Sequence, residues 1–140
     1  MKTLTEVLTP YGLSAADQAL ADIEVPIPDK AQRQGDLLFL PTLAHELEGR
    51  LAKGETVGVD GVNLVVGEAT GNAHILDAPD GGVTFYRSTE ASTTAVGWIV
   101  ADKPFYVLHT DEHGANGFAA GTWTVRGKRE MAEVERRVAD

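Results

Sequence analysis

Between Gly35 and Val125 the chain is cut at short intervals by turn signals, and this punctuation constrains the fold more than any other feature. Asp60-Gly61, Asp80-Gly81-Gly82, Lys103-Pro104 and Asn116-Gly117 separate apolar runs that are too brief for helices and rich in β-branched and aromatic residues. Val62 to Glu68, Ala73 to Leu76, Val83 to Arg87, Ala95 to Ala101, Phe105 to His109 and Thr122 to Val125 therefore read as strands. Asp36-Leu37-Leu38-Phe39-Leu40, closed by Pro41, reads as a further strand buried on both faces. Leu43, Leu47 and Leu51 recur at helical spacing with Gly54 as a stop, which predicts a helix over 43–53. Residues 128–138, with Met131, Val134 and Val138 on one stripe, predict a closing helix. The expected fold class is α+β, mainly antiparallel β, as a small sandwich or open barrel with an N-terminal helix and arm and a C-terminal helix.

The segment before Gly35 reads differently. Ser14 followed by Asp17 is an Asp-bearing form of the capping box, and Ala16, Ala19, Leu20 and Ile23 share one helical face, which predicts a helix over 14–23. Val25-Pro26-Ile27-Pro28 follows, and its prolines fix φ and keep the preceding residues extended. Residues 24–33 are expected to run over a surface, either of their own domain or of a partner. This divides the chain into a helix and arm over 1–33 and a β-rich domain with a C-terminal helix over 34–140. Deleting residues 1–33 is expected to leave a folded domain.

At 140 residues the chain suits one domain that can hold a core without staples. It has no cysteine, which removes disulfides, thiolate catalysis and cysteine-held metal clusters together. The net charge of −9 sets an acidic body that repels phosphate backbones, and the basic group at Arg126, Lys128 and Arg129 is too short to reverse this, so no nucleic-acid partner is expected. No window approaches the roughly 20 apolar residues of a membrane span, and Met1-Lys2-Thr3-Leu4-Thr5-Glu6 does not open a signal peptide. A soluble intracellular product with no membrane partner is expected.

Three blocks gather three of the four histidines beside glycines: Gly67 to His74, His109 to His113, and Gly121 to Glu130. His74, His109 and His113, with Glu112 as an oxygen donor, carry the ligand types that suit zinc or another divalent transition metal. Against this, His109 and His113 straddle a strand end and a turn, so convergence on one ion is not enforced by spacing. The favoured reading is a solvated turn at Asp111-Glu112-His113 with His74 paired across the sheet; the alternative is a metal-binding protein or metal-dependent enzyme using His74, His109, Glu112 and His113. His45-Glu46-Leu47-Glu48-Gly49 starts like a zinc-protease helix but has Gly49 where the second histidine belongs. Gly49 to Thr56 has phosphate-loop glycine spacing but carries Glu55 in place of the lysine. Trp98, Trp123, Phe85, Tyr86, Phe105 and Tyr106 sit within strand patterns and read as packing residues.

The blocks Gln34 to Leu38, Gly67 to His74, His109 to His113 and Gly121 through Glu130 together resemble a family of small uncharacterised proteins of bacteria and their phages, over residues 34–140. That family shows Gly-His-Ala-His, His-x-Glu-His and Arg-Gln-Arg-Glu blocks. Here Asn72 replaces the first histidine, and Gly127-Lys128 stands where Arg-Gln is usual, so any site of the family is degraded in this chain. The resemblance, with an arm added to a compact β domain, implies a non-catalytic phage or prophage structural protein, most concretely a capsid (head) decoration or cement protein. The implied partner is a protein surface such as the major capsid protein, with copies of the chain as a further partner. Val25, Pro26, Ile27 and Pro28 of the arm and Arg126, Lys128 and Arg129 are the candidate docking residues. No catalytic residue and no cofactor are expected on this reading, and the protein would reside in the host cytoplasm during assembly and then in the virion.

Overall fold

The computed structural model describes residues 1–49, 51, 53–65, 73–89 and 95–127. The strands in chain order are β1 (Gln32–Gln34), β2 (Leu37–Thr42), β3 (Glu55–Thr56), β4 (Val62–Asn63) and β5 (His74–Asp77). They continue as β6 (Val83–Arg87), β7 (Ala95–Ala101), β8 (Phe105–His109), β9 (Gly114–Phe118) and β10 (Gly121–Gly127). One sheet runs β1-β2-β10-β7-β6-β3 and the other β4-β5-β8-β9, and each pairing described is antiparallel. The two sheets pack on a common core and do not close into a barrel.

Alternation places that core. Leu37 and Phe39 of β2, Val83 and Phe85 of β6, Ile99 of β7 and Trp123 and Val125 of β10 meet Leu76, Phe105, Val107 and Phe118 of the second sheet in one buried cluster. Its centre is aromatic. The Phe118 ring stacks on Phe105 at 4.9 Å, tilts against Phe39 at 4.8 Å and meets Trp123 edge-on at 5.1 Å. The Trp123 indole N–H, which cannot be left bare in such a place, donates to the Ala119 carbonyl at 3.1 Å.

All five residues of β8 are buried. Phe105 and Val107 face the other sheet, while Tyr106 and Leu108 face outward into a second cluster with Val7, Leu8, Ala15 and Val25. The N-terminal segment is thus a third layer. It opens with α1 (Leu4–Leu8), whose start is a complete capping box: Thr3 accepts from the Glu6 amide, and the Glu6 carboxylate accepts from the Thr3 amide. A 3₁₀ turn (Thr9–Tyr11) and α2 (Gln18–Ala21) follow. The chain then returns beside its own start, where Val25 N–H donates to the Lys2 carbonyl at 2.8 Å.

Several expectations need correcting. The helix over 14–23 shortens to α2, because Asp17 and not Ser14 caps it by accepting from the Ala19 amide. In place of a helix over 43–53 there is a 3₁₀ turn at Ala44–Leu47: Leu47 alone of the expected stripe is buried among the described residues, Leu43 is 61% exposed, and Gly49 takes φ +77°. Strand β2 is not buried on both faces, since Leu38 and Leu40 are only half-buried. It also runs through Pro41, which sits beyond the end of β1, where no neighbour needs its missing N–H. The strand expected over 62–68 covers only Val62–Asn63 of its described residues, and Asn116-Gly117 lies inside β9 and is no turn. The closing helix expected over 128–138 lies outside the described residues.

Candidate functional site

His74 opens β5 and His109 closes β8, and the two are register partners. Partners in an antiparallel pair point to the same face, here toward the first sheet, so the rings meet at one end of the space between the sheets. They stack at 4.4 Å with planes 13° apart, 4% and 5% exposed. Ala73 and Thr110 secure the strand ends beyond them: Thr110 N–H donates to the Ala73 carbonyl at 3.0 Å, and the Thr110 hydroxyl accepts from Ala73 N–H at 2.8 Å.

The first sheet reaches this pair through the tight turn between β1 and β2. Gly35 lies over both rings with φ +56°; a Cβ there would stand 3.0 Å from His109 Cε1 and 3.2 Å from His74 Cε1. Glycine is required twice over, by conformation and by space. Gln34, 5% exposed, spans the gap between the sheets. Its Nε2 donates to the Val107 carbonyl at 2.7 Å and to Asn116 Oδ1 at 3.1 Å, which fixes the amide orientation because a carbonyl only accepts. Gln34 Oε1 then accepts from His74 Nδ1 at 2.8 Å, so the neutral ring carries its proton on Nδ1. Asn116 Nδ2 donates to Gln32 Oε1 at 3.0 Å and to the Arg33 carbonyl at 3.2 Å, and Gln32 Nε2 donates to the Gly117 carbonyl at 2.6 Å. Three carboxamides and one imidazole thereby fasten β1 to β8 and β9.

Burial is the main reason the His74 imidazole is pushed down to about 4; the His109 ring acts in the same direction, and Asp36 opposes both. Glu112 Oε2 lies 3.7 Å from His109 Nδ1, but its side chain is largely exposed. His113, with φ +50°, turns to the N-terminal layer, where its Nδ1 donates to the Ser14 carbonyl at 2.9 Å.

The metal set of the alternative reading is therefore not assembled among the described residues. His74 and His109 come together, but imidazole lone pairs lie in the ring plane, and two nearly parallel stacked rings aim theirs side by side and not at one point. His113 is engaged with Ser14. Among the described residues, no group of three or more His, Asp or Glu side chains is placed to hold a metal ion.

Of the expected docking residues, Val25 is buried against its own domain, Ile27 and Pro28 are half-buried and Pro26 is exposed. The arm lies along β9, with Ala119 N–H donating to the Pro28 carbonyl at 3.1 Å. Arg126 is exposed on β10; Lys128 and Arg129 lie outside the described residues. Sequence reading missed Gln32, Gln34 and Asn116 as site residues. The Gln-x-Gln spacing that puts Gln32 and Gln34 on one face of a strand was the available signal.

A sequence model of the family described as Domain of unknown function (DUF8820) matches residues 33–128. The chain belongs to this family. The match takes in Gln34, both stacked histidines and Asn116, and it leaves most of the N-terminal layer outside. No curated protein and no solved structure matches the chain. Among the described residues, no helix is long and apolar enough to cross a membrane.

Proposed function

We propose that the protein is a non-catalytic structural component that docks on another protein, most concretely a decoration or cement accessory of a phage or prophage head. The observation that carries this reading is what the histidine blocks do. His74 is bonded to Gln34 and stacked on His109, and His113 is bonded to Ser14, so these side chains fasten segments of the chain to one another and present no reactive group. The acidic composition and the motif resemblance to small proteins of bacteria and phages support the same reading. Pro26 on the arm and Arg126 on β10 are the exposed docking residues, the latter steering encounter with an acidic surface. Empty heads of the phage or prophage encoding the chain, mixed with purified protein, should carry it down on sedimentation with saturable occupancy at micromolar concentration. Arg126→Glu should lower that occupancy modestly. Failure of the intact chain to sediment with the heads removes the head-accessory reading.

A further inference from the structure

We propose that the His74–His109 stack and the Gly35 turn seated on it form an acid-released latch, which holds β1 across the two sheets near neutral pH and frees it as the pair takes up protons. This rests on the packing of the pair and is independent of the docking reading. Gly35 covers the Cε1 edge of both rings, the edge that lies between the two ring nitrogens, and the two residues are only 4% and 5% exposed. A proton on either ring places a charge in a site that is 4–5% exposed, and a second proton places a like charge one stacking distance, 4.4 Å, away.

Among the described residues, the charged groups that face the pair are Asp36 on the β1–β2 turn and Glu112 on the turn after β8. Asp36 favours a protonated His74 ring, but it is outweighed by burial and by His109, which together hold the imidazole down to about 4. The sign follows. A histidine whose folded value lies below its unfolded value destabilises the closed form as pH falls from about 6.5 toward about 4.

Local release is the economical response. β1 pairs with β2 over three residues, Gln32–Gln34, and is otherwise tied by the carboxamide bonds to β8 and β9 and by the Gln34 bond to His74 on β5. Lifting the turn hydrates both rings and uncovers the β2 edge at Leu37 to Phe39, while the aromatic core stays packed.

Amide hydrogen exchange on the intact chain, corrected for intrinsic pH dependence, tests this at pH 7 and pH 4.5. Residues 32–39 should lose protection at least about tenfold at pH 4.5 while β6 and β7 keep theirs. In the same protein, the His74 ring followed by NMR should titrate well below 6.5, together with the Gly35 amide and the Gln34 side-chain amide. His109→Gln removes the like charge and should move the opening to lower pH. Unchanged protection over 32–39, a uniform loss across all strands, or a His74 ring titrating at the ordinary histidine value would each overturn the latch. The wild-type measurements suffice for this even if the variant fails to fold.

Discussion

Tyr11 and Asp77 show how much one side-chain bond carries in this molecule. The Tyr11 hydroxyl donates to Asp77 Oδ1 at 2.7 Å, joining the turn after α1 to the end of β5. Burial pushes the Asp77 carboxyl up, while the bond from Tyr11 and the charge of Lys2 pull it down. Burial also pushes the Tyr11 hydroxyl up, and Asp77 adds to that. Because the folded value of Asp77 is raised, its contribution is greatest when it is protonated and is lost as pH rises through that value. Tyr11 limits the loss by stabilising the carboxylate. Tyr11→Phe should therefore cost about 1.5–3 kcal/mol at pH 7, the range for a hydrogen bond to a charged group, and clearly less at pH 3. Urea unfolding of both chains at the two pH values measures the difference. Equal losses at both would show that the bond acts only as packing.

Glycines show, at the scale of elements, why part of the fold was legible and part was not. β6, β7 and β8 follow from sequence to the residue, because their apolar runs are bounded by turns and need no distant information. β9 does not. Gly114-Ala115-Asn116-Gly117 is small and polar, and it is a strand only because all of Gly114–Phe118 pairs with β8. Gly117 is glycine for a reason unrelated to turning: a Cβ there would run into the Pro26 carbonyl of the arm. The leucine spacing over 43–51 misleads because the period says nothing about which residues find a core, whereas α1 (Leu4–Leu8) is signalled only by the Thr-x-x-Glu capping box of Thr3 and Glu6. Within the candidate site, His74 and His109 were legible as residue types. Their mutual stacking and the Gln34 partner 40 residues away depend on sheet pairing that no local pattern encodes. Gly117→Ala should push the arm off β9 at a cost of about 1–3 kcal/mol, the usual range for overpacking. Urea unfolding gives the cost, and faster exchange of the Ala119 amide, whose acceptor is the Pro28 carbonyl, locates it. Unchanged stability and unchanged Ala119 exchange would show that the arm is not seated on β9 as described.

Across the whole molecule the decisive fact is that three layers share one strand. β8 turns Phe105 and Val107 to the first core and Tyr106 and Leu108 to the second, so it is finished only when the N-terminal layer is in place. The family match begins at residue 33 and includes β8, whereas the layer that covers the outer face of β8 is built from residues before it. Removing residues 1–31 would strip Val7, Leu8, Ala15 and Val25 from the outer face and expose Tyr106 and Leu108, now 3% and 0% exposed. At about 1.5–3 kcal/mol for each large side chain returned to water, the loss is about 3–6 kcal/mol. That is a large share of the roughly 5–15 kcal/mol that holds a domain of ordinary stability. The shortened chain should melt roughly 10–25 °C below the full chain and self-associate through the bared face of β8. The expectation that a domain stays folded after deletion of residues 1–33 treats the helix and arm as an appendage, whereas the N-terminal layer packs on β8. Calorimetry and sedimentation of the two chains at matched concentration decide between these outcomes. A truncated chain that melts within a few degrees of the full one and stays monomeric would show that β8 needs no cover, and that the N-terminal layer serves only a partner.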